Sequence, residues 1–320
     1  MDQMTIERWT APDAARFAQR IVQNIEKVLQ GKHQGVELAL AAAIAGGHLL
    51  IEDVPGLGKT MLARALAISI GLEFRRIQFT ADLMPSDIVG GPVYNPKDGS
   101  FALRPGPAFS NVVLADEINR ANPRAQSALL ECMEEGQITL DGQTLRLPEP
   151  FLVLATQNPI DMAGTYPLPE AQLDRFLIRL SLGYPSPEVE TSLIATQQFE
   201  HPISHLAAVC RPVEFAHLVA NAKNTLISPE ISQYITAIVA ATRKHPGIRF
   251  GASPRGTLGL ARMARALSCI RGLAYVDPAI VRELAVPVLA HRIIVQTQGA
   301  QAKPPAALIQ EILASLRTPQ

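Results

Sequence analysis

The stretch Ile51–Met61 reads I-E-D-V-P-G-L-G-K-T-M and constrains the chain more than any other. An apolar run, His48-Leu49-Leu50-Ile51, enters it, and a helical pattern, Met61-Leu62-Ala63-Arg64-Ala65-Leu66-Ala67, leaves it. Strand, glycine loop, Lys-Thr and helix is the order that cradles a triphosphate. Gly56 and Gly58 let backbone N–H groups approach phosphate oxygens with no Cβ in the way. The helix that follows aims its free N–H groups, and a partial positive charge, at the anion. Val54, Pro55, Gly56, Leu57, Gly58, Lys59, Thr60 and Met61 are the expected nucleotide contacts. Lys59 reaches the β/γ-phosphates, and the Thr60 hydroxyl binds Mg²⁺. The strict pattern G-x-x-x-x-G-K-[ST] asks for glycine where this chain has Asp53, so the match is partial. A glycine-rich turn with an incidental Lys-Thr is the bland alternative, and the two flanks weigh against it.

The balance of 29 basic and 29 acidic residues gives a formal net charge of +0, hence no global attraction to nucleic acid or anionic lipid. Cys132, Cys210 and Cys269 are far apart and form no C-x-x-C, which argues against a disulfide framework or zinc site and for a reducing compartment. The first residues, M-D-Q-M-T-I-E-R-W-T, do not have the pattern of a signal peptide. The most lipid-like run, Leu38–Ile51, is broken by Gly46-Gly47-His48 and is too short for a span. A cytoplasmic protein with no transmembrane segment is expected.

Helical periodicity runs from about Ala14 to Gln30, with Phe17, Ile21, Ile25, Val28 and Leu29 on one side, and again from Val36 to Ala45. Strands are expected at Leu49–Glu52, Glu73–Phe79, Asn111–Ala115, Phe151–Ala155 and Leu177–Leu182. Helices are expected at Lys59–Ser69, after Pro123, and briefly at Pro169–Phe176. Thr80–Ser110 is too long for an ordinary connection. It should hold a short helix and a hairpin turning at Asp98-Gly99. A second hairpin is expected over Gln137–Leu147, turning at Asp141-Gly142. Alternating strands and helices predict a three-layer α/β domain. After Pro185-Ser186-Pro187 the strand signals stop, and helices are expected at about 188–198, 214–224, 229–242, 254–271, 278–291 and 304–316.

V-V-L-A-D-E ends a buried strand with two carboxylates. Beside the Lys59 loop, Asp116 would bind Mg²⁺ and Glu117 would act as general base or position the attacking water. Asn158 follows a second buried strand, where it could bond the γ-phosphate and the water, or simply turn the chain before Pro159. Arg175 closes a short helix, either as a surface arginine paired to Asp174 or as a finger reaching a neighbour's nucleotide. Ser253 and Pro254 start a helix with Arg255 next, where a cation opposes the helix dipole unless it meets a bound phosphate or a carboxylate. His201 and His205 have a metal-like spacing, but Pro202 lies between them and no acid or cysteine completes a set.

The loop E-D-V-P-G-L-G-K-T, the segments L-M-P-S-D-I-V-G-G, L-A-D-E-I-N-R-A and A-T-Q-N-P, the run Y-P-L-P-E-A-Q-L-D-R-F, and G-A-S-P-R together resemble the MoxR family of AAA+ ATPases. The resemblance covers roughly Ala15 to Ile294. It implies an AAA+ P-loop αβα sandwich with a five-stranded parallel sheet and inserted β-hairpins, over residues 1–184, and an all-α lid domain over 185–320. It assigns Lys59 and Thr60 to Walker A, Asp116 and Glu117 to Walker B, Asn158 to sensor 1, Arg175 to the arginine finger and Arg255 to sensor 2. Asp53 agrees with what this family tends to carry. The resemblance also implies ATP and Mg²⁺ as cofactors, a hexameric homo-oligomeric ring, a partner with a von Willebrand factor A domain, and chaperone-like work on a client protein. ATP is expected between a subunit's α/β domain and its own lid, with Arg175 of the next subunit completing the site. A nucleic-acid-stimulated or magnesium-chelatase-like motor, and a nucleotide-gated scaffold, are the alternatives; no nucleic-acid partner is expected.

Overall fold

A computed structural model describes residues 9–97, 99–140, 143–159, 164–196, 200–296 and 303–319. Helices α1 (Ala11–Glu26) and α2 (His33–Ile44) precede strand β1 (His48–Glu52), and α3 (Lys59–Ser69) and β2 (Phe74–Gln78) follow it. The short helix α4 (Pro85–Val89) leads into the antiparallel hairpin β3 (Gly90–Asn95) and β4 (Ser100–Pro105). Next come β5 (Val112–Asp116), α5 (Pro123–Glu135), the hairpin β6 (Gln137–Leu140) and β7 (Gln143–Arg146), and β8 (Leu152–Gln157). The one-turn helix α6 (Glu170–Leu173) and β9 (Phe176–Leu180) complete this half. The remainder holds α7 (Pro187–Thr196), α8 (Pro212–Lys223), α9 (Pro229–Thr242), β10 (Ile248–Phe250), α10 (Pro254–Ile270), α11 (Pro278–Leu289), β11 (Ile294–Val295) and α12 (Pro305–Ser315).

The five expected strands form one parallel sheet in the order β2-β5-β8-β1-β9. β5 is buried throughout, and β8 is buried up to Gln157, because helices cover both faces. β2 is one of the two edge strands, and its sequence F-R-R-I-Q buries only Ile77. Its charged residues blunt that edge against pairing with another chain. The order places the C-terminal ends of β5, β8 and β1 side by side, where open parallel sheets bind ligands.

Helix starts follow the capping chemistry. Asn122 accepts the N–H groups of Arg124 and Ala125 ahead of Pro123, and Ser228, Ser253 and Asp277 cap α9, α10 and α11 ahead of a proline. Thr10 caps α1 through the Asp13 N–H, so α1 begins at Ala11 rather than near Ala14, and Val28 and Leu29 are buried beyond its end. α2 is buried from Val36 to Ile44, where small alanines let α10 pack closely. Its buried Glu37 is neutralised by Arg271 at 2.7 Å, and Arg271 reaches on to Glu283 at 2.6 Å, tying α2 to the helices of the second half.

Both inserted hairpins are present; Asp98 and residues 141–142 of their expected turns lie outside the described residues. The second half differs from the all-α expectation in one ribbon, β10 paired antiparallel to β11. Strands of three and two residues are too short to display the alternation by which strands are read from a sequence.

Candidate nucleotide site

Between β1 and α3 the chain turns through Gly56 (φ 87) and Gly58 (φ 89), left-handed conformations that cost an L side chain about 1 kcal/mol or more. A Cβ built on Gly56 would meet no atom within 4 Å, so the loop opens directly onto space. That space is a cavity of about 300 Å³ lined by Pro55, Gly56, Gly58, Lys59, Thr60, Met61, Asp116 and Glu117. Val54 and Leu57 belong to the loop but not to the lining. Lys59 Nζ donates to the carbonyls of Asp53 and Val54. Burial draws its pKa below the ordinary lysine value, although the carboxylates of Asp53, Asp116 and Glu117 oppose that shift.

The Asp53 side chain explains the departure from glycine. Its carboxylate accepts from Ser181 Oγ at 2.6 Å and from the backbone N–H groups of Leu182 and Gly183. The phosphate loop is thereby tied to the segment leaving β9.

Asp116 and Glu117 end β5 at the mouth of the cavity. Thr156 on β8 donates its hydroxyl to Asp116 Oδ1 at 2.6 Å and accepts the Glu117 N–H at 2.8 Å. Arg76 on β2 donates to Asp116 Oδ2 through Nη2 at 2.7 Å and Nε at 3.1 Å. Gln78 donates to Glu117 Oε2 at 3.0 Å. Among the described residues Glu117 is the only non-glycine with positive φ, at 58°. Such strain at a loop that lines a cavity is characteristic of working sites.

Asn158 is buried one residue past β8, at the same end of the sheet, although it does not line the cavity. Arg175 and Arg255 are elsewhere. Arg175 Nη2 meets Glu134 Oε2 at 3.0 Å, and its Nη1 donates to the Leu130 carbonyl. Arg255 Nη2 meets Glu134 Oε1 at 2.7 Å. Asp174, the partner in one of the two alternatives for Arg175, accepts instead from Arg292 and Ser253. The two arginines, with Arg262, Arg292 and His48, line a second cavity of about 240 Å³. His48 begins β1 and the phosphate loop follows its end, a strand length of roughly 13 Å at about 3.3 Å per residue. Arg255 does not line the cavity of its own chain's glycine loop: the start of α10 rests on the end of α5, beside the opposite ends of the sheet strands. His201 and His205 do not converge either; His201 caps the Ile203 N–H and His205 pairs with Glu200.

The sequence profile of the ATPase family associated with various cellular activities (AAA) matches residues 48–178, and that of the AAA lid domain matches 240–312. The Chaperone MoxR1 of Mycobacterium tuberculosis is 39% identical over 94% of this chain and 82% of its own length. MoxR of Paracoccus denitrificans is 31% identical over 83% and 85% of the two chains. The chain belongs to the MoxR family of AAA+ ATPases. The YeaC protein of Bacillus subtilis is also similar, at 47% identity over 94% of each chain. A crystal structure from Cytophaga hutchinsonii superposes with a TM-score of 0.89 at 36% identity, covering 97% of both chains.

A MoxR-family ATPase hydrolyses ATP to ADP and phosphate. The two cavity oxygens that would face a metal in this reading, the Thr60 hydroxyl and the Asp116 carboxylate, are hard donors, and no cysteine or histidine is among the lining residues, which suits Mg²⁺. The residues the sequence reading missed are Thr156, Arg76, Gln78 and Glu134. Thr156 carried a signal, a hydroxyl inside the apolar run L-V-L-A-T of a fully buried strand. The others carried none, because their partners lie 39 to 121 residues away.

Proposed function

We propose that this ATPase works as a ring in which one copy's phosphate loop faces another copy's arginines, and that the ring remodels or matures client proteins in a chaperone-like way. The observation that carries the reading is the clustering of Arg175 and Arg255 on Glu134, beside the ends of the strands opposite their own glycine loop. Two cations held there are out of reach of the chain's own γ-phosphate and accessible to a neighbour's, where positive charge stabilises phosphoryl transfer. Lys59 and the loop amides hold the phosphates, Thr60 and Asp116 hold Mg²⁺, Glu117 activates water and Asn158 orients it. The α/β domain spans 1–184 and the lid 185–320. The hairpin of β3 and β4 exposes Val93, Tyr94, Phe101 and Leu103, apolar surface suited to gripping a client. A hexamer, a von Willebrand factor A domain partner and a cytoplasmic setting complete the proposal. Among the described residues no helix is long and apolar enough to cross a membrane.

Size-exclusion chromatography with light scattering, with and without ATP and Mg²⁺, tests the ring on wild type and E117Q. A nucleotide-dependent shift to a particle of about six subunits is the expected outcome. Mixing R175A with E117Q should then restore part of the turnover each lacks, since one supplies an intact Glu117 and the other an intact Arg175. A monomer under every condition, or mixtures no more active than their parts, would overturn the shared site.

A further inference from the structure

We propose that Arg76 is an internal counter-cation that occupies the metal-side oxygen of Asp116 and must be displaced by the divalent ion. The inference rests on the reading of Asp116 as the metal-side carboxylate.

Asp116 has two oxygens and both are engaged. Oδ1 accepts the Thr156 hydroxyl, and Oδ2 accepts two N–H groups from the one Arg76 guanidinium. The Asp116 side chain is only 11% exposed, which leaves little open approach for a third partner. A hard divalent cation, directly or through its bound water, needs carboxylate lone pairs. Thr156 is fully buried on a central strand and has nowhere to go. Arg76 is different. It stands on an edge strand with its side chain half exposed, so its guanidinium can swing into water at small cost. Of the two partners, the guanidinium is the exchangeable one.

The same guanidinium reaches further. Its Nη2 donates to Gln78 Oε1 at 2.6 Å, and Gln78 Nε2 donates to Glu117 Oε2 at 3.0 Å. Asp116, Arg76, Gln78 and Glu117 thus form one hydrogen-bonded chain along the edge of the site. When the ion takes Asp116, Gln78 loses its donor and is free to turn away from Glu117. In the metal-free state the chain neutralises a largely buried carboxylate and holds Glu117 to the side. Arrival of the ion would relax the neutralising pair and the Gln78 restraint together, leaving Arg120 Nε in place at 3.3 Å from the same Glu117 Oε2.

The test is a titration of Mn²⁺ into the full-length protein with ADP present, followed by electron paramagnetic resonance, on wild type, R76A, R76K, Q78A and D116N. Displacing a half-exposed ion pair predicts that R76A binds Mn²⁺ about two- to fivefold more tightly than wild type. R76K should fall between them, because an ammonium keeps the charge but loses the fork. Q78A should gain less than R76A, since Gln78 helps hold the Arg76 guanidinium but does not touch Asp116. With EDTA in place of Mn²⁺, R76A should show no gain in ADP affinity. Unchanged or weaker Mn²⁺ binding by R76A overturns the proposal. R76K equal to wild type while R76A tightens also overturns it, because a general field effect would then explain the gain. Should R76A fail to fold by circular dichroism, R76K alone decides: tighter binding supports displacement and equal binding refutes it. D116N with wild-type Mn²⁺ affinity would instead refute the metal-side reading of Asp116.

Discussion

Thr156 donates its hydroxyl to Asp116 Oδ1 at 2.6 Å, and Thr156 Oγ1 itself accepts the N–H of Glu117 at 2.8 Å. One buried hydroxyl on β8 therefore fixes the carboxylate that ends β5 and the left-handed turn after it. Thr156→Val keeps the shape and removes both bonds. It should cost about 1–3 kcal/mol in stability, because a largely buried acceptor and an N–H lose their partner. Steady-state ATP turnover should fall by about 100-fold, as for a reacting group displaced by about 1 Å. ADP affinity measured in EDTA should hardly change. Normal turnover in a folded T156V protein would reduce Thr156 to a packing residue.

Glu134 holds Arg175 and Arg255 together, and both arginines keep its carboxyl below the usual range, Arg255 by its hydrogen bond and Arg175 chiefly by its charge. For the arginines to serve a neighbour's phosphate, those pairs must open. Glu134→Gln should therefore lower the protein concentration that gives half-maximal specific activity by about two- to fivefold, the worth of a partly exposed ion pair. The measurement is ATP turnover across a dilution series. A requirement for more protein would mean that Glu134 aims the arginines rather than restraining them.

The legible parts of this chain are those that depend on local pattern. Four of the five sheet strands are mainly apolar runs, β2 being the exception, and Pro229, Pro254 and Pro278 mark helix starts that the structure keeps. The glycine loop between β1 and α3 and the acids at the end of β5 lie beside one cavity, and both carry local signals: a glycine loop between strand and helix, and an acid closing a buried strand. The place where Arg255 sits was not legible. Its capping by Ser253 was visible, but the direction of α10 is set by packing on α2 and α11, which no spacing encodes. Arg76 carries no local signal for the same reason: the parallel pairing of β2 with β5 brings it beside a carboxylate 40 residues away.

Asp53 was visible as an oddity and explained only by contact. Replacing it with glycine matches the general phosphate-loop pattern yet removes the acceptor for Ser181, Leu182 and Gly183. Hydrogen bonds to a buried carboxylate contribute about 1.5–3 kcal/mol each, and the freed donors partly find water, so D53G should lose about 3 kcal/mol in urea denaturation. Asp53→Asn should lose less, since its amide oxygen still accepts. D53G should also bind ADP more weakly, as the loop is no longer tethered to β9. Undiminished stability would show that the loop holds its shape without this tie.

Stability should fall in mild acid because two histidines are buried in the neutral form. His48 accepts the Val153 N–H on Nδ1 at 3.0 Å and donates from Nε2 to the Met133 carbonyl at 3.0 Å. His291 donates from Nε2 to the Phe176 carbonyl at 3.0 Å. Burial pushes the His48 pKa down to about 4, and burial together with the Arg292 charge pushes that of His291 down to about 3. In the unfolded chain both titrate near 6.5. Below that pH the unfolded chain binds protons the folded chain refuses, so the contribution is full above about pH 7 and is lost as pH falls toward 4 and then 3. Each histidine adds a slope of about 1.4 kcal/mol per pH unit in that window. Urea denaturation at pH 7, 6 and 5 reads the slope directly. His48→Gln can still donate and accept but cannot titrate, so it should remove about half of the histidine contribution. A slope unchanged in H48Q would mean that carboxylates, not this imidazole, set the acid limit.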